Sequence, residues 1–236
     1  MMARDEAQIA VLVSARERVL ERIAAAAARV GRDPADVTLV AVSKTVPAER
    51  LVSAVAAGLT TLGENRVQEA EAKADAVAGA TWHLVGPLQS NKVRRALEVF
   101  ETIQSVDSVE LARRIDRLAT DVRAGERVPV ILQVNVDDDT AKAGFSSAAI
   151  EEQLGEILAL EHIDVRGLMT IGRLVDRPED ARPTFAGLRE FAGRLRARHP
   201  NLGPDLSMGM SDDFEIAVEE GATIVRVGRA LFGERH

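Results

Sequence analysis

Thr38-Leu39-Val40-Ala41-Val42-Ser43-Lys44 reads as a buried strand that ends in a lysine. Side chains alternate along a strand, so Lys44 shares a face with Val42 and Val40. If that face is the inside of a barrel, the amine tops an apolar stack at the mouth. Desolvation there favours the neutral, nucleophilic amine. The alternative is a lysine that simply begins a solvated loop, as most strand-end lysines do.

Outward from this stretch the chain alternates. Strands are expected at 38–44, 59–63, 81–85, 101–106, 128–136, 163–171, 205–210 and 223–227. Helical patterns are expected at about 47–58, 66–77, 90–98, 108–124, 146–160, 179–198 and 212–220. Eight strands alternating with helices predict an α/β fold, a single (β/α)8 TIM barrel spanning 1–236. An open doubly wound sheet is the alternative. It would carry a glycine-rich fingerprint after its first strand, where Ser43-Lys44-Thr45-Val46-Pro47 stands instead. Before the first strand, Ile9, Leu12, Val13, Val19, Leu20, Ile23 and Val30 repeat at helical spacing. They predict an extra N-terminal helix within 1–31 that packs on the barrel, stopped by Gly31. The stretch Arg173 to Arg182 is the expected mobile loop.

Composition narrows the function classes. The 236 residues are 46% hydrophobic, enough for one well-buried core. No apolar run approaches the ~18 residues of a membrane span, and the charged start Met1 to Glu6 does not resemble a signal peptide. There is no cysteine, hence no thiol nucleophile, disulfide or cysteine-zinc site. The cytoplasm is the expected compartment. The net charge of −7 with no basic run argues against nucleic acid as a partner. Tyrosine is also absent, which removes a phenolic acid/base from any mechanism.

In β/α barrels, chemistry collects where strands end. After the second strand, Glu64 could pair with a cation, and Asn65 could bond a ligand or cap the next helix. On the third, His83 could move protons or be a hydrogen-bonded structural residue. Asp137-Asp138-Asp139 follows the fifth strand. Its spacing does not fit a calcium loop, and a solvated acidic loop is expected. His83, His162, His199 and His236 show no ligand spacing, so no metal site is expected. Near the end, Ser207-Met208-Gly209-Met210-Ser211 turns toward a helix beginning Asp212-Asp213. Ser211 is a good N-cap, and free N–H groups at such a start bind phosphate. Gly228 permits close backbone approach, and loops after strands seven and eight commonly hold phosphate. Arg226 has the parity of Ile224 and Gly228. An inward arginine must be paired or face a ligand.

A Schiff-base lysine and a phosphate cradle suggest pyridoxal phosphate. Five segments in order then carry a resemblance: Ala41-Val42-Ser43-Lys44-Thr45, Gly63-Glu64-Asn65-Arg66-Val67-Gln68-Glu69, Trp82-His83-Leu84-Val85-Gly86-Pro87-Leu88-Gln89-Ser90-Asn91-Lys92, Ser207-Met208-Gly209-Met210-Ser211-Asp212-Asp213 and Val225-Arg226-Val227-Gly228. The chain resembles the pyridoxal phosphate homeostasis protein family, single-domain relatives of the alanine racemase barrel. The resemblance implies a fold-type III barrel with pyridoxal 5'-phosphate held as an imine on Lys44. It implies a cofactor set of Lys44, Asn65, Ser207, Met210, Ser211, Arg226 and Gly228, with Arg226 facing the pyridine nitrogen. Two cations would repel there, so the ring stays unprotonated and is a weak electron sink. Thr170 and Gly172 stand where relatives often show alanine and proline, and Arg66 where an aromatic is common.

Three functions compete. The first is a non-catalytic carrier and regulator of intracellular vitamin B6 that hands the cofactor to apo-enzymes, as a monomer or weak dimer. The second is a weak amino-acid racemase, which needs a base on each face of its substrate. Alanine racemase uses a tyrosine opposite the lysine, and this chain has none. The third is a cofactor-free Schiff-base aldolase. The carrier is the expected function.

Overall fold

Val40, Ile131, Met169 and Ile224 come from four different strands and meet Val85, just past a fifth, as one buried cluster, with Val42 packed against it. That cluster is the inside of a closed parallel barrel with strand order β1 to β8. In this computed structural model, residues 2–137, 139, 142–172 and 175–233 are described, 2–4 by backbone only. Arg173, Asp138 and His236, named above, lie outside them.

The strands are β1 Thr38–Val42, β2 Thr61–Glu64, β3 Thr81–Leu84, β4 Thr102–Val106, β5 Val128–Gln133, β6 Ile163–Met169, β7 Asp205–Ser207 and β8 Ile224–Val227. Closure comes from β1 pairing with β8, with Val40 opposite Arg226. This is the expected barrel, not the open sheet. A second, larger core lies between the strands and the surrounding helices. Both strand faces are therefore buried, which is why these segments read as near-continuous apolar runs.

The helices are α1 Met2–Arg29, α2 Ala48–Ala56, α3 Val67–Ala74, α4 Val93–Val99, α5 Val109–Val122, α6 Ser147–Leu158, α7 Arg182–Arg198, α8 Phe214–Glu219 and α9 Arg229–Phe232. In α5, Ser108 accepts the Leu111 N–H at 3.3 Å, and Leu111, Ala112, Ile115 and Ala119 form the buried stripe. The long α1 ends in paired bonds, Arg32 N–H to Ala27 O at 2.9 Å and Gly31 N–H to Ala28 O at 3.3 Å. Gly31 takes φ +68, the left-handed conformation this stop requires. Leu12, Val19 and Ile23 are fully buried in the outer core. Arg22 pairs with Glu215 of α8 at 2.9 Å, and Arg32 donates to Val218 O and Ala222 O. So α1 lies against α8, next to the loop that precedes it.

Among the boundaries that differ from the sequence reading, two shape the mouth. β5 stops at Gln133 because the chain folds back on itself: Phe145 N–H bonds Gln133 O, and Asn135 N–H bonds Phe145 O. β7 stops at Ser207 because Gly209 takes φ +91 and turns the chain. Of the 173–182 stretch, residues 175–182 are described: they carry a 3-10 turn at Pro178–Ala181, and Arg182 pairs with Glu219 at 2.6 Å and Glu220 at 2.7 Å.

Leu12 tests how firmly α1 is docked. Leu12→Ala should cost about 2–5 kcal/mol in denaturant unfolding, the range for a buried leucine cavity. Val11→Ala, on the exposed side of the same turn, should change stability by less than about 0.5 kcal/mol.

Candidate functional site

A cavity of about 660 Å³ opens at the C-terminal ends of the strands. Lys44, Asn65, Met210, Ser211, Arg226 and Gly228 all line it, together with Val42, Val85, Ile171, Asp212 and Arg229. Six of the seven residues named from the sequence are thus brought to one place. Ser207 is not on the lining. It is fully buried, with its hydroxyl against Arg226 at 2.6 Å.

Lys44 sits two residues past β1, half-buried, in a turn closed by Val46 N–H to Ser43 O at 3.0 Å. Thr45 in that turn has φ +66, a costly conformation for a β-branched residue. The turn is held from below. The Ser43 hydroxyl donates to Glu64 at 2.9 Å, and the Lys73 ammonium reaches both Glu64 at 2.7 Å and Ser43 O at 3.2 Å. Burial pushes the Glu64 carboxyl up, and the bonds from Lys73 and Ser43 oppose that shift. Glu64 pairs with a cation, but inside the scaffold, since it is fully buried.

Asn65 is placed by a close approach. A Cβ on Gly86 would stand 2.4 Å from Asn65 O, so only glycine lets the β3 loop press on this backbone. Asn65 does not cap α3; Arg66 holds that position without a side-chain bond.

The loop after β7 also differs from expectation. Ser211 is not the cap of α8, which begins at Phe214 after Asp213. Asp213 is buried, and its Oδ1 accepts the Met210 N–H at 2.6 Å, so it closes the loop that Ser211 was expected to cap. Burial raises the Asp213 carboxyl, opposed by that bond and by the Arg226 charge. The Ser211 hydroxyl instead accepts the Gly228 N–H at 3.2 Å, which joins the β7 and β8 loops. At Gly228 a Cβ would sit 3.2 Å from Val42 O. Asp212 and Arg229 form an ion pair on the rim.

Arg226 points inward, as its parity required. It is 5% exposed, donates Nη1 to Ser207 Oγ at 2.6 Å and Nη2 to Thr170 O at 2.8 Å, and lines the cavity floor. Burial lowers its guanidinium to about 10, opposed by Asp213, so it is charged at neutral pH. Thr170, noted only as a departure, proves structural. Its hydroxyl donates to Val134 O at 2.9 Å while its carbonyl holds Arg226.

His83 is not on the lining. Its Nδ1 lies 2.8 Å from Gln104 Nε2, and burial lowers its pKa to about 4. Of its two readings, this is the hydrogen-bonded structural histidine. His162 and His199 precede β6 and follow α7, at the opposite end of the barrel. Asp137 and Asp139 are half-buried rather than fully solvated: Lys142 reaches Asp137 at 3.4 Å, and Thr184 donates to Asp137 at 2.6 Å. Among the described residues no group of acids and histidines could hold a metal. Nor is any described helix long and apolar enough to cross a membrane. Gln104 was missed from the sequence. The available signal was an amide at the centre of Thr102–Val106, a strand buried along its whole length.

The barrel and its mouth place the chain in a class. Residues 14–236 match the family "Alanine racemase, N-terminal domain". Alanine racemase of Clostridium difficile shares the fold at 17% identity and a TM-score of 0.71, with 92% of this chain covering 56% of that one. Within that class the relatives are more specific. The pyridoxal phosphate homeostasis protein of Aquifex aeolicus is 42% identical, covering 92% of this chain and 96% of the relative. That of Escherichia coli K12 is 40% identical, at 92% and 94%. PipY of Synechococcus elongatus, solved with PLP bound, is 43% identical with a TM-score of 0.80, covering 91% of this chain and 100% of that one. The chain belongs to the pyridoxal phosphate homeostasis protein family.

His83 gives the fold a defined acid sensitivity. Its folded pKa is about 4 against an ordinary 6.5. Between those values the unfolded chain binds a proton that the folded one refuses, so stability falls as pH drops. The loss should total roughly 3 kcal/mol by pH 4. His83→Asn keeps an acceptor for Gln104 but does not titrate. Denaturation curves of the two proteins from pH 7 to 4 should diverge by about that amount.

Proposed function

We propose that this cavity binds pyridoxal 5'-phosphate and that the chain carries and regulates the cofactor rather than running a robust reaction with it. The observation that carries the reading is the meeting, in one cavity, of the Lys44 amine from β1, the Arg226 guanidinium from β8 and the joined Ser211–Gly228 loops.

The donor set suits the cofactor part by part. Lys44 supplies an amine for the cofactor's aldehyde. For its phosphate, Ser211 supplies a hydroxyl, Gly228 a backbone with no Cβ in the way, and Arg229 a cation. Arg226 supplies donors and a positive charge for its ring, and Asn65 an amide beside it. When bound, the cofactor supplies an electron-accepting ring to any amine attached to it. Arg226 tempers that power, since a guanidinium opposes protonation of a neighbouring pyridine nitrogen.

The carrier reading rests on what faces Lys44. Racemisation needs a second acid/base on the opposite side. The sequence has no tyrosine, His83 is buried away from the lining, and Asp212 is engaged by Arg229. We extend the proposal to recipients: apo-enzymes that depend on this cofactor take it from the loaded chain. The 236 residues act as one unit, with α1 bracing the loops that hold the phosphate.

The test is a visible spectrum of the full chain titrated with pyridoxal phosphate, then borohydride and peptide mapping. Wild type should gain a visible band and a reduced adduct on Lys44. Lys44→Ala should lose both and still unfold within a few degrees of wild type, because a half-buried mouth lysine contributes little to packing. A retained band and adduct would show that another residue holds the cofactor. Loaded protein should reactivate an apo-enzyme. Alanine racemisation well above background would overturn the carrier reading.

A further inference from the structure

Resting on the reading of the cavity as a pyridoxal phosphate site, we propose that Gln104 is a positioning residue, acting through Ser207 to aim the charged Arg226 guanidinium at the cofactor ring. Four buried side chains form a line across the barrel interior: Arg226 on β8, Ser207 on β7, Gln104 on β4 and His83 on β3. They are 5%, 0%, 0% and 9% exposed. The links are 2.6 Å from Arg226 Nη1 to Ser207 Oγ, 2.6 Å from Ser207 Oγ to Gln104 Oε1, and 2.8 Å from Gln104 Nε2 to His83 Nδ1.

The arginine sets the direction of every bond. A guanidinium can only donate, so Ser207 Oγ accepts from it. The single hydroxyl hydrogen then goes to Gln104 Oε1. The amide of Gln104 therefore turns its Nε2 toward His83, and His83 Nδ1 must accept. The ring hydrogen of His83 is left on Nε2, in a neutral imidazole. The line contains no carboxylate, so nothing in it cancels the charge on Arg226. Asp213 is the carboxylate that acts on Arg226, and its Oδ1 is taken by the Met210 N–H. With Nη2 fixed on Thr170 O, two of the five N–H bonds are anchored in protein. The cavity receives what remains, in one orientation.

A purely structural line would matter only for stability. A positioning line must also move the properties of the bound ring. The experiment uses the full chain with pyridoxal phosphate as probe, comparing wild type, Gln104→Leu, Ser207→Ala and Gln104→Glu. Gln104→Leu and Ser207→Ala cut the line at different bonds. Each should shift the pH midpoint of the bound-cofactor absorbance and raise its dissociation rate about tenfold, the scale of one hydrogen bond to a charged group. Borohydride should still label Lys44 in both. Gln104→Glu can only accept, so His83 must then donate from Nδ1. Side-chain ¹⁵N NMR should show His83 as the neutral Nε2–H form in wild type and protonated at Nδ1 in Gln104→Glu. Ser207→Ala removes few atoms, and it decides the matter if Gln104→Leu does not fold. Unchanged midpoints and dissociation rates in folded variants would overturn the proposal, as would a wild-type His83 protonated at Nδ1. If wild type binds no cofactor, the cavity reading fails and the positioning role with it, while the NMR spectra still report whether the line exists.

Discussion

A guanidinium sealed inside a β-barrel is the constraint around which this molecule is arranged. Arg226 is 5% exposed in an interior otherwise packed with Val40, Val85, Ile131, Met169 and Ile224. Leaving such a charge without partners would cost several kcal/mol. The barrel answers it with Ser207, the carbonyl of Thr170 and the electrostatic influence of Asp213. Each answer recruits a further residue: Gln104 and His83 behind Ser207, Val134 behind Thr170, Met210 behind Asp213. Polar groups on four strands and in three loops follow from one inward cation. Because the unused donors of that cation open into the mouth, the same set of bonds that stabilises the interior also prepares the site.

The mouth is built from close approaches rather than from long side chains. Gly86 lets the β3 loop press on Asn65, Gly228 lets the β8 loop meet Val42, and Gly209 at φ +91 turns the chain after β7. A Cβ at Gly209 would fall 2.5 Å from Ala217, so the β7 loop is also packed against α8. In turn α8 is braced by Arg22, Arg29 and Arg32 at α1 and by Arg182 and Arg189 of α7. These ion pairs are partly exposed and contribute little energy individually. Their consequence is geometric, since they fix the helix that anchors the Ser211 loop. On the β1–β2 side of the mouth, the buried Glu64–Lys73 pair holds Ser43 and with it the turn that presents Lys44.

The barrel was legible because both faces of each strand are buried, so the strands stand out as apolar runs between helical patterns. Lys44, Arg226 and Gly228 were legible as chemistry-bearing residues at strand ends, where parity gives a direction. What could not be read were contacts between strands distant in sequence. Gln104 stands 103 residues from its partner Ser207, and no local pattern joins them. Ser211 has the residue type of a helix cap, yet Asp213 competes for the same loop and wins with a buried carboxylate. The four-residue α9 is too short to show a period. Thr170 was visible only as an unusual residue, and its two bonds explain it.

The central claim is that a charged, positioned Arg226 faces the cofactor ring and keeps its nitrogen unprotonated, which suits holding the cofactor over reacting with it. The direct measurement is ¹⁵N NMR of the full chain loaded with pyridoxal phosphate labelled at the ring nitrogen. A shift typical of an unprotonated pyridine across neutral pH is the predicted result. A pyridinium signal at pH 7 would contradict the account, because it would place an acid, not the Arg226 cation, at the ring nitrogen.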